Sequence, residues 1–129
     1  MKISVDISCG ELIDKLSILE IKKQNISEES KLLEVNKEFK ILNKIYETLK
    51  KENKNLEKYY IQLFNVNSSI WQIEDKIRKL ESESSFQKEF IELARNVYLN
   101  NDKRFEIKNQ INILFNSEIK EQKSYENYK

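Results

Sequence analysis

The chain has 129 residues, of which 39% are hydrophobic and 35% charged, and 23 basic residues nearly balance 22 acidic ones. That length and apolar content fit one folded domain and exclude a disordered chain. The net charge of +1 argues against a protein that binds nucleic acid by neutralising phosphates, because such proteins carry a clear basic excess.

The sequence has no proline and no histidine, and it has one glycine and one cysteine. Compact β folds use glycine and proline in tight turns, so their scarcity favours long helices joined by short polar links. Histidine catalysis is excluded, and a phosphate loop or a zinc site lacks the residues it needs, so we expect no metal and no cofactor. No stretch approaches eighteen apolar residues and the first residues include no apolar leader, so we expect a cytoplasmic protein without membrane contact.

Residues 1–7 alternate in polarity, with Ile3, Val5 and Ile7 on one side, which is typical of a short strand. Because no second strand is predicted, this extended arm either lies on the rest of the fold or pairs with a second copy or another protein.

Apolar residues spaced three and four apart predict the helices that follow the arm. Ser8 and Glu11 form a capping-box pattern that begins the first helix, and the seam from Leu56 to Leu80 is an unbroken heptad pattern. Long seams joined by short loops imply antiparallel neighbours, so the sequence predicts a single all-α domain, an antiparallel bundle of about four helices with a coiled-coil-like hairpin. The predicted helices span residues 9–24, 28–51, 56–81 and 86–116, and a frayed tail spans residues 117–129.

The seam of the fourth predicted helix is interrupted by polar residues, because the steps after Val97 fall on Asn100 and Arg104. The helix therefore either continues through a polar core layer or kinks near residues 100–102. Continuity is favoured, since neither proline nor glycine stands there.

Arginine is rare in this chain, and its positions are informative. Only three of the 23 basic residues are arginines. The planar guanidinium binds carboxylate or phosphate through two parallel hydrogen bonds, so these positions need geometry as well as charge. A hairpin that turns at residues 82–85 places Glu74 close to Arg95 across the helix interface. The resulting belt comprises Trp71, Glu74, Asp75, Arg78, Arg95, Tyr98, Asn101, Asp102 and Arg104.

Three interpretations of the belt stay open. Ion pairs and a buried Asn100 can fix the alignment of the helices, which is the preferred structural interpretation. The belt can also form a site for an anionic or sugar-like ligand, or a catalytic site in which Glu74, Asp75 or Asp102 is the general acid or base. Because Glu74 and Asp75 point about 100° apart on one helix, they are a weak chelate for Mg²⁺.

A second candidate surface lies on the first predicted helix, where charged residues surround the apolar stripe. Glu11 and Lys15 are spaced for an ion pair in the favourable order, and the structural interpretation is a solvated helix face. We do not expect Cys9 to be a reactive thiol, because the chain offers no histidine to activate it. This surface comprises Glu11, Asp14, Lys15, Glu20 and Lys22.

Four segments form a recognisable series along the chain: CGELIDKLSILEIK at 9–22, IWQIEDKIRKLE at 70–81, FIELARNVYLNNDKRFEIKNQIN at 90–112 and EQKSY at 121–125. They resemble the bacterial domain-of-unknown-function family 6165. Cys9 stands where members of that family usually have valine, which argues further against a role for the thiol, and Gln122 stands where they tend to have glutamate. The resemblance implies no established activity. Genes of the family are expected near those for glycosyltransferases and surface polysaccharides, which suggests sugar or nucleotide-sugar chemistry.

The function that the sequence favours is that of a helical binding or scaffold protein, rather than that of an enzyme. It would act through protein–protein contact or self-association. The alternative is an all-α ligand-binding protein or enzyme that acts on a sugar-, phosphate- or nucleotide-containing small molecule, linked to surface polysaccharide synthesis. The expected partner is another protein or a second copy, with a small-molecule ligand as the alternative and no nucleic acid.

Overall fold

The computed structural model describes all 129 residues and contains four α-helices and no β-strand, which confirms the predicted all-α bundle. α4 is one continuous helix through the polar residues 100–102, as expected from the lack of proline and glycine there. No helix combines the length and the apolar character that a membrane span requires. The helices are α1 (Cys9–Asn25), α2 (Glu29–Glu52), α3 (Leu56–Ser82) and α4 (Lys88–Leu114).

The first helix, α1, lies in the middle of the fold and packs against each of the other three helices. α3 and α4 form an extensively packed hairpin, whereas α2 rests on α1, touches α3 only slightly and does not reach α4. The core therefore follows α1, with apolar side chains from the other three helices packed around it. Its buried members are Leu12, Ile13, Leu16, Tyr46, Leu56, Leu63 and Ile111.

Two helices end without glycine by placing another residue in the left-handed conformation. Ser84 (φ 53°) follows α3, and Asn116 (φ 49°) follows α4. In each case the next N–H reaches back to the fifth residue before it: Ser85 donates to the Leu80 carbonyl at 2.9 Å, and Ser117 donates to the Asn112 carbonyl at 2.8 Å. These bonds are the signature of a Schellman motif, which stops a helix and redirects the chain.

The N-terminus of α1 is closed by the C-terminal end of α4. The Ser8 hydroxyl accepts the Glu11 N–H at 3.1 Å, as the capping pattern predicts. The Gly10 N–H donates to the side-chain oxygen of Asn112 at 2.7 Å, and the Cys9 N–H donates to the Ser117 hydroxyl at 3.2 Å. Protein groups therefore satisfy the first N–H donors of α1, which a helix leaves unpaired by itself.

The single glycine is required by this close approach of two helices. A Cβ atom at Gly10 would lie 2.4 Å from the backbone oxygen of Lys108 and 3.0 Å from Oδ1 of Asn112. Neither neighbour is the free end of a flexible side chain, since the first is backbone and the second already accepts the Gly10 N–H.

The two chain ends lie outside the helices. Residues 1–7 form neither a strand nor a helix, and Ile3 and Val5 are exposed, so the arm does not lie on the bundle. The tail is not frayed, because it folds back along α4. The Tyr128 hydroxyl donates to the Asp102 carboxylate, and the Tyr128 ring meets Tyr98 edge-on at 5.2 Å between centroids. Aromatic contacts hold this segment, and they involve residues too far apart in sequence for a periodicity argument to detect.

Replacing Gly10 with alanine is expected to lower the free energy of unfolding by about 1–3 kcal/mol, the usual cost of forcing extra atoms into a packed site. Urea denaturation followed by circular dichroism measures the change. Gln62→Ala, at an exposed position of α3, is the control and should change stability by less than about 0.5 kcal/mol. Equal stability of Gly10→Ala and wild type would contradict the close helix contact.

The buried Tyr46 and the partly buried Tyr60 make stability fall at high pH. Burial, with a smaller contribution from Glu57, raises the pKa of Tyr46 to about 12, and burial also raises the pKa of Tyr60 above its usual value of 10.0. A raised pKa in the folded state means that the protonated side chain stabilises the fold fully below pH 10. The free energy of unfolding should therefore decline as the pH rises through 10 towards 12.

Urea midpoints measured on both sides of pH 10 test this decline. Tyr46→Phe should make the decline shallower, since it removes one of the titrating groups, whereas Tyr125→Phe at an exposed position should leave it unchanged. A wild-type protein whose stability is constant across that range would show that the tyrosines are not held in their neutral form.

Candidate functional site

The centre of the candidate site is Asp14, a carboxylate that α1 carries into the interior. The sequence predicted a solvated helix face here, and that prediction is wrong because Asp14 is fully buried. Arg104 of α4 meets it in a bidentate pair, with Nε 2.8 Å from Oδ1 and Nη2 2.5 Å from Oδ2. A buried carboxylate needs such partners, since the loss of hydration otherwise costs several kcal/mol.

Two further polar side chains complete the surroundings of Asp14. Asn67 of α3 donates its side-chain amide to Oδ1 of Asp14 at 3.0 Å and to the Ser17 hydroxyl at 2.8 Å. The Ser17 hydroxyl donates in turn to the Asp14 backbone carbonyl at 2.7 Å. One buried network thus joins α1, α3 and α4.

A second ion pair lies one turn along the same helix pair. Lys108 of α4 is almost fully buried and donates to Glu11 of α1 at 2.8 Å, and its Nζ lies 2.6 Å from Glu121 in the tail. Burial opposes the charge of Lys108, but its contacts with the carboxylates of Glu11 and Glu121 outweigh it and raise its pKa. The hydrogen bond to Asp14 likewise raises the pKa of Arg104 against the effect of burial. Both cations stay charged.

An open cleft of about 390 Å³ lies beside this network, between α1 and α3. It is lined by isoleucines of α1 and α3, by Trp71, and by polar and charged side chains that include Asn67 and Arg104. The complete lining is Ile18, Ile21, Asn67, Ile70, Trp71, Glu74, Asp75, Arg78 and Arg104. Five of the nine predicted belt residues are therefore brought together here.

The predicted pairing of Glu74 with Arg95 is wrong. Glu74 pairs with Arg78 on its own helix, at 3.2 Å between the carboxylate and Nε. Arg95 is exposed and makes no ion pair, and the neighbouring Tyr98 hydroxyl raises its pKa. The pairing failed because Glu74 has a partner one helical turn away, which needs no contact between helices.

The other belt residues lie on a different face of α4. Tyr98, Asn101 and Asp102 line a separate groove of about 1050 Å³ under the folded-back tail. Residues two positions apart on a helix point in nearly opposite directions, so Asp102 and Arg104 cannot share one site. The predicted belt is therefore divided between the α1–α3 cleft and the groove under the tail, and Arg95 lines neither.

The second candidate surface, on α1, is also divided. Glu11 and Asp14 belong to the ion pairs with α4. The expected pair of Glu11 with Lys15 is absent, because Glu11 pairs with Lys108 instead. Lys15 is exposed, and Glu20 and Lys22 line shallow grooves on opposite sides of α2. The sequence analysis assigned no role to Ser17, Asn67 or Lys108. Each is a polar residue within or beside the apolar stripe of its helix, and that pattern could have indicated a buried polar contact.

The chain was compared with known proteins at the level of sequence and of structure. A family model described as "Family of unknown function (DUF6165)" matches residues 1–128. The chain belongs to DUF6165. A comparison with curated proteins and one with solved structures find no match.

The carboxylates at and beside the cleft of this DUF6165 protein differ in their freedom to accept a proton. Three N–H groups, from Arg104 and Asn67, occupy the Asp14 carboxylate, so it has no access to a substrate proton. Glu74 is engaged by Arg78. A general base must be within hydrogen-bond reach of the proton it removes, and Asp75 is the one carboxylate of the cleft that has no partner.

Replacing Asp14 with asparagine is expected to lower the free energy of unfolding by about 2–4 kcal/mol. Breaking a buried ion pair typically costs about 3–5 kcal/mol, and the cost is reduced here because Arg104 keeps some contact with water. Urea denaturation of the variant and the wild type measures the loss.

Glu74→Gln is the matched control, because it breaks an exposed pair on a single helix and should cost less than about 1 kcal/mol. If the two substitutions had equal effects, the buried pair would not be the stronger constraint.

Proposed function

We propose that this DUF6165 member is a binding protein whose α1–α3 cleft holds a small, uncharged, polyhydroxylated molecule such as a sugar unit. The observation that carries this proposal is the state of Arg104, whose side chain lines the cleft. Its charge is already compensated by the bidentate contact with Asp14.

The charge of the cleft favours a neutral ligand over an anion. Two guanidinium groups and two carboxylates line it, and Asp14 lies directly behind Arg104. A phosphate would have to compete with Asp14 for the guanidinium and would face Glu74 and Asp75 nearby. A hydroxyl group, in contrast, can accept from the remaining Nη1 of Arg104, which donates to no protein group, and can donate to Asp75.

The shape and surface of the cleft fit the same class of ligand. Its volume of about 390 Å³ lies within the range of about 300–1,000 Å³ that is typical of small-molecule sites. The apolar floor and the Trp71 ring can cover the C–H face of a sugar, while the polar groups at the rim reach its hydroxyls. Polar groups that converge on an apolar floor are the usual design of a specific ligand site.

The cleft contains the only tryptophan of the chain, and Trp71 fluorescence is therefore a direct reporter of occupancy. Titration with neutral mono- and disaccharides should give a saturable change in emission. Inorganic phosphate should give none, because the guanidinium is already engaged. A nucleotide sugar should act only through its sugar moiety.

Asp75→Asn should weaken saccharide binding by at least about tenfold, since it removes a charged hydrogen-bond acceptor from the rim. Glu83→Gln, at an exposed position outside the cleft, is the control and should bind like the wild type. A saturable response to phosphate without any response to saccharides would contradict the proposal.

A further inference from the structure

The second helix is attached to the molecule along one side alone. α2 packs on α1, touches α3 only slightly and does not reach α4, and of its 24 residues only Val35 and Tyr46 are buried. The face of α2 that points away from α1 exposes large apolar side chains to solvent. Leu33 is 65% exposed, Ile41 52% and Ile45 46%. Leu33 and Ile41 are eight residues apart, and Ile41 and Ile45 are four residues apart, so the three side chains share one side of the helix.

The whole molecule also exposes more surface than a compact monomer of its mass. Its accessible surface is 9395 Å², whereas about 7,200 Å² is typical of a monomer of 15.5 kDa. The exposed arm accounts for part of the difference. The excess of about 2,200 Å² is sufficient for a permanent homodimer, whose interface commonly buries about 2,000–5,000 Å² on the two subunits together.

The exposed face of α2 is complementary to itself when two copies run antiparallel. If the two helices cross at the level of Phe39, equal rise along both axes places Leu33 level with Ile45 of the second copy. The same alignment places Glu34, which also pairs with Lys37 on its own helix, level with Lys44 of the second copy, so opposite charges meet twice. Lys37 is level with Ile41 and can lay its aliphatic stem over it. A two-fold interface requires this kind of self-complementarity.

We propose that a second copy of this chain covers the α2 face and that the protein is an antiparallel α2–α2 homodimer. The net charge of +1 leaves no long-range repulsion between copies. The α1–α3 cleft is lined by no α2 residue, so dimerisation and ligand binding are independent.

Sedimentation velocity of the full chain tests the interface. The wild type should sediment as a dimer at micromolar concentration. Ile41→Asp should weaken the dimer at least about tenfold, because it places a charge against an apolar contact. Ile91→Asp, at a comparably exposed isoleucine (55%) of α4, is the matched control and should leave the dimer intact.

Charge exchange tests the alignment itself. Glu34→Lys and Lys44→Glu should each weaken the dimer, and the two substitutions together should restore it, because the opposite charges then meet again. These positions are exposed, so each variant should keep the wild-type circular dichroism spectrum.

A wild type that stays monomeric at high micromolar concentration would overturn the proposal and leave the α2 face to a different protein. A dimer that Ile91→Asp dissociates while Ile41→Asp does not would overturn it as well. Failure of the double charge exchange to restore the dimer would refute the antiparallel alignment at Phe39.

Discussion

The buried pair of Asp14 and Arg104 is the constraint on which the rest of this structure depends. A carboxylate inside the protein is tolerated only with a cation held in good geometry, so α1 can be the central helix only if α4 supplies that cation at the right level. The same two antiparallel helices meet at two further levels, where Glu11 pairs with Lys108 and Gly10 is bonded by Asn112. Three polar contacts of different chemistry thus set one register.

The same constraint determines what is left for function. Glu11, Asp14 and Ser17 of α1 are used to hold α4 and α3. Arg104 of α4 takes part in both the packing and the cleft, since its guanidinium is fixed by Asp14 and its side chain also lines the cleft. A side chain held in this way is already oriented for a ligand and loses little conformational entropy on binding. Other exposed features, among them the apolar face of α2, lie at the periphery and are not involved in holding the register.

The fold was predictable from the sequence because long apolar seams without proline or glycine allow few arrangements other than a helical bundle. The importance of arginine was also predictable in part, since a planar guanidinium does meet a carboxylate on another helix. The partner was wrong: periodicity along one helix shows which residues share a face, but it does not show which helix lies opposite. Asp14 was therefore assigned to solvent, although it lies at the centre of the fold, and Arg95 was assigned to an interface, although it is exposed.

The most direct measurement of this central pair is the hydrogen exchange of the arginine Nε–H groups by nuclear magnetic resonance. The chain has only three arginines, so each resonance can be assigned by substitution. The Nε–H of Arg104 should persist as the pH is raised while those of Arg78 and Arg95 exchange rapidly, because only Arg104 donates to a buried carboxylate. Exchange of all three at the same rate would contradict the account, since no guanidinium would then be held in the interior.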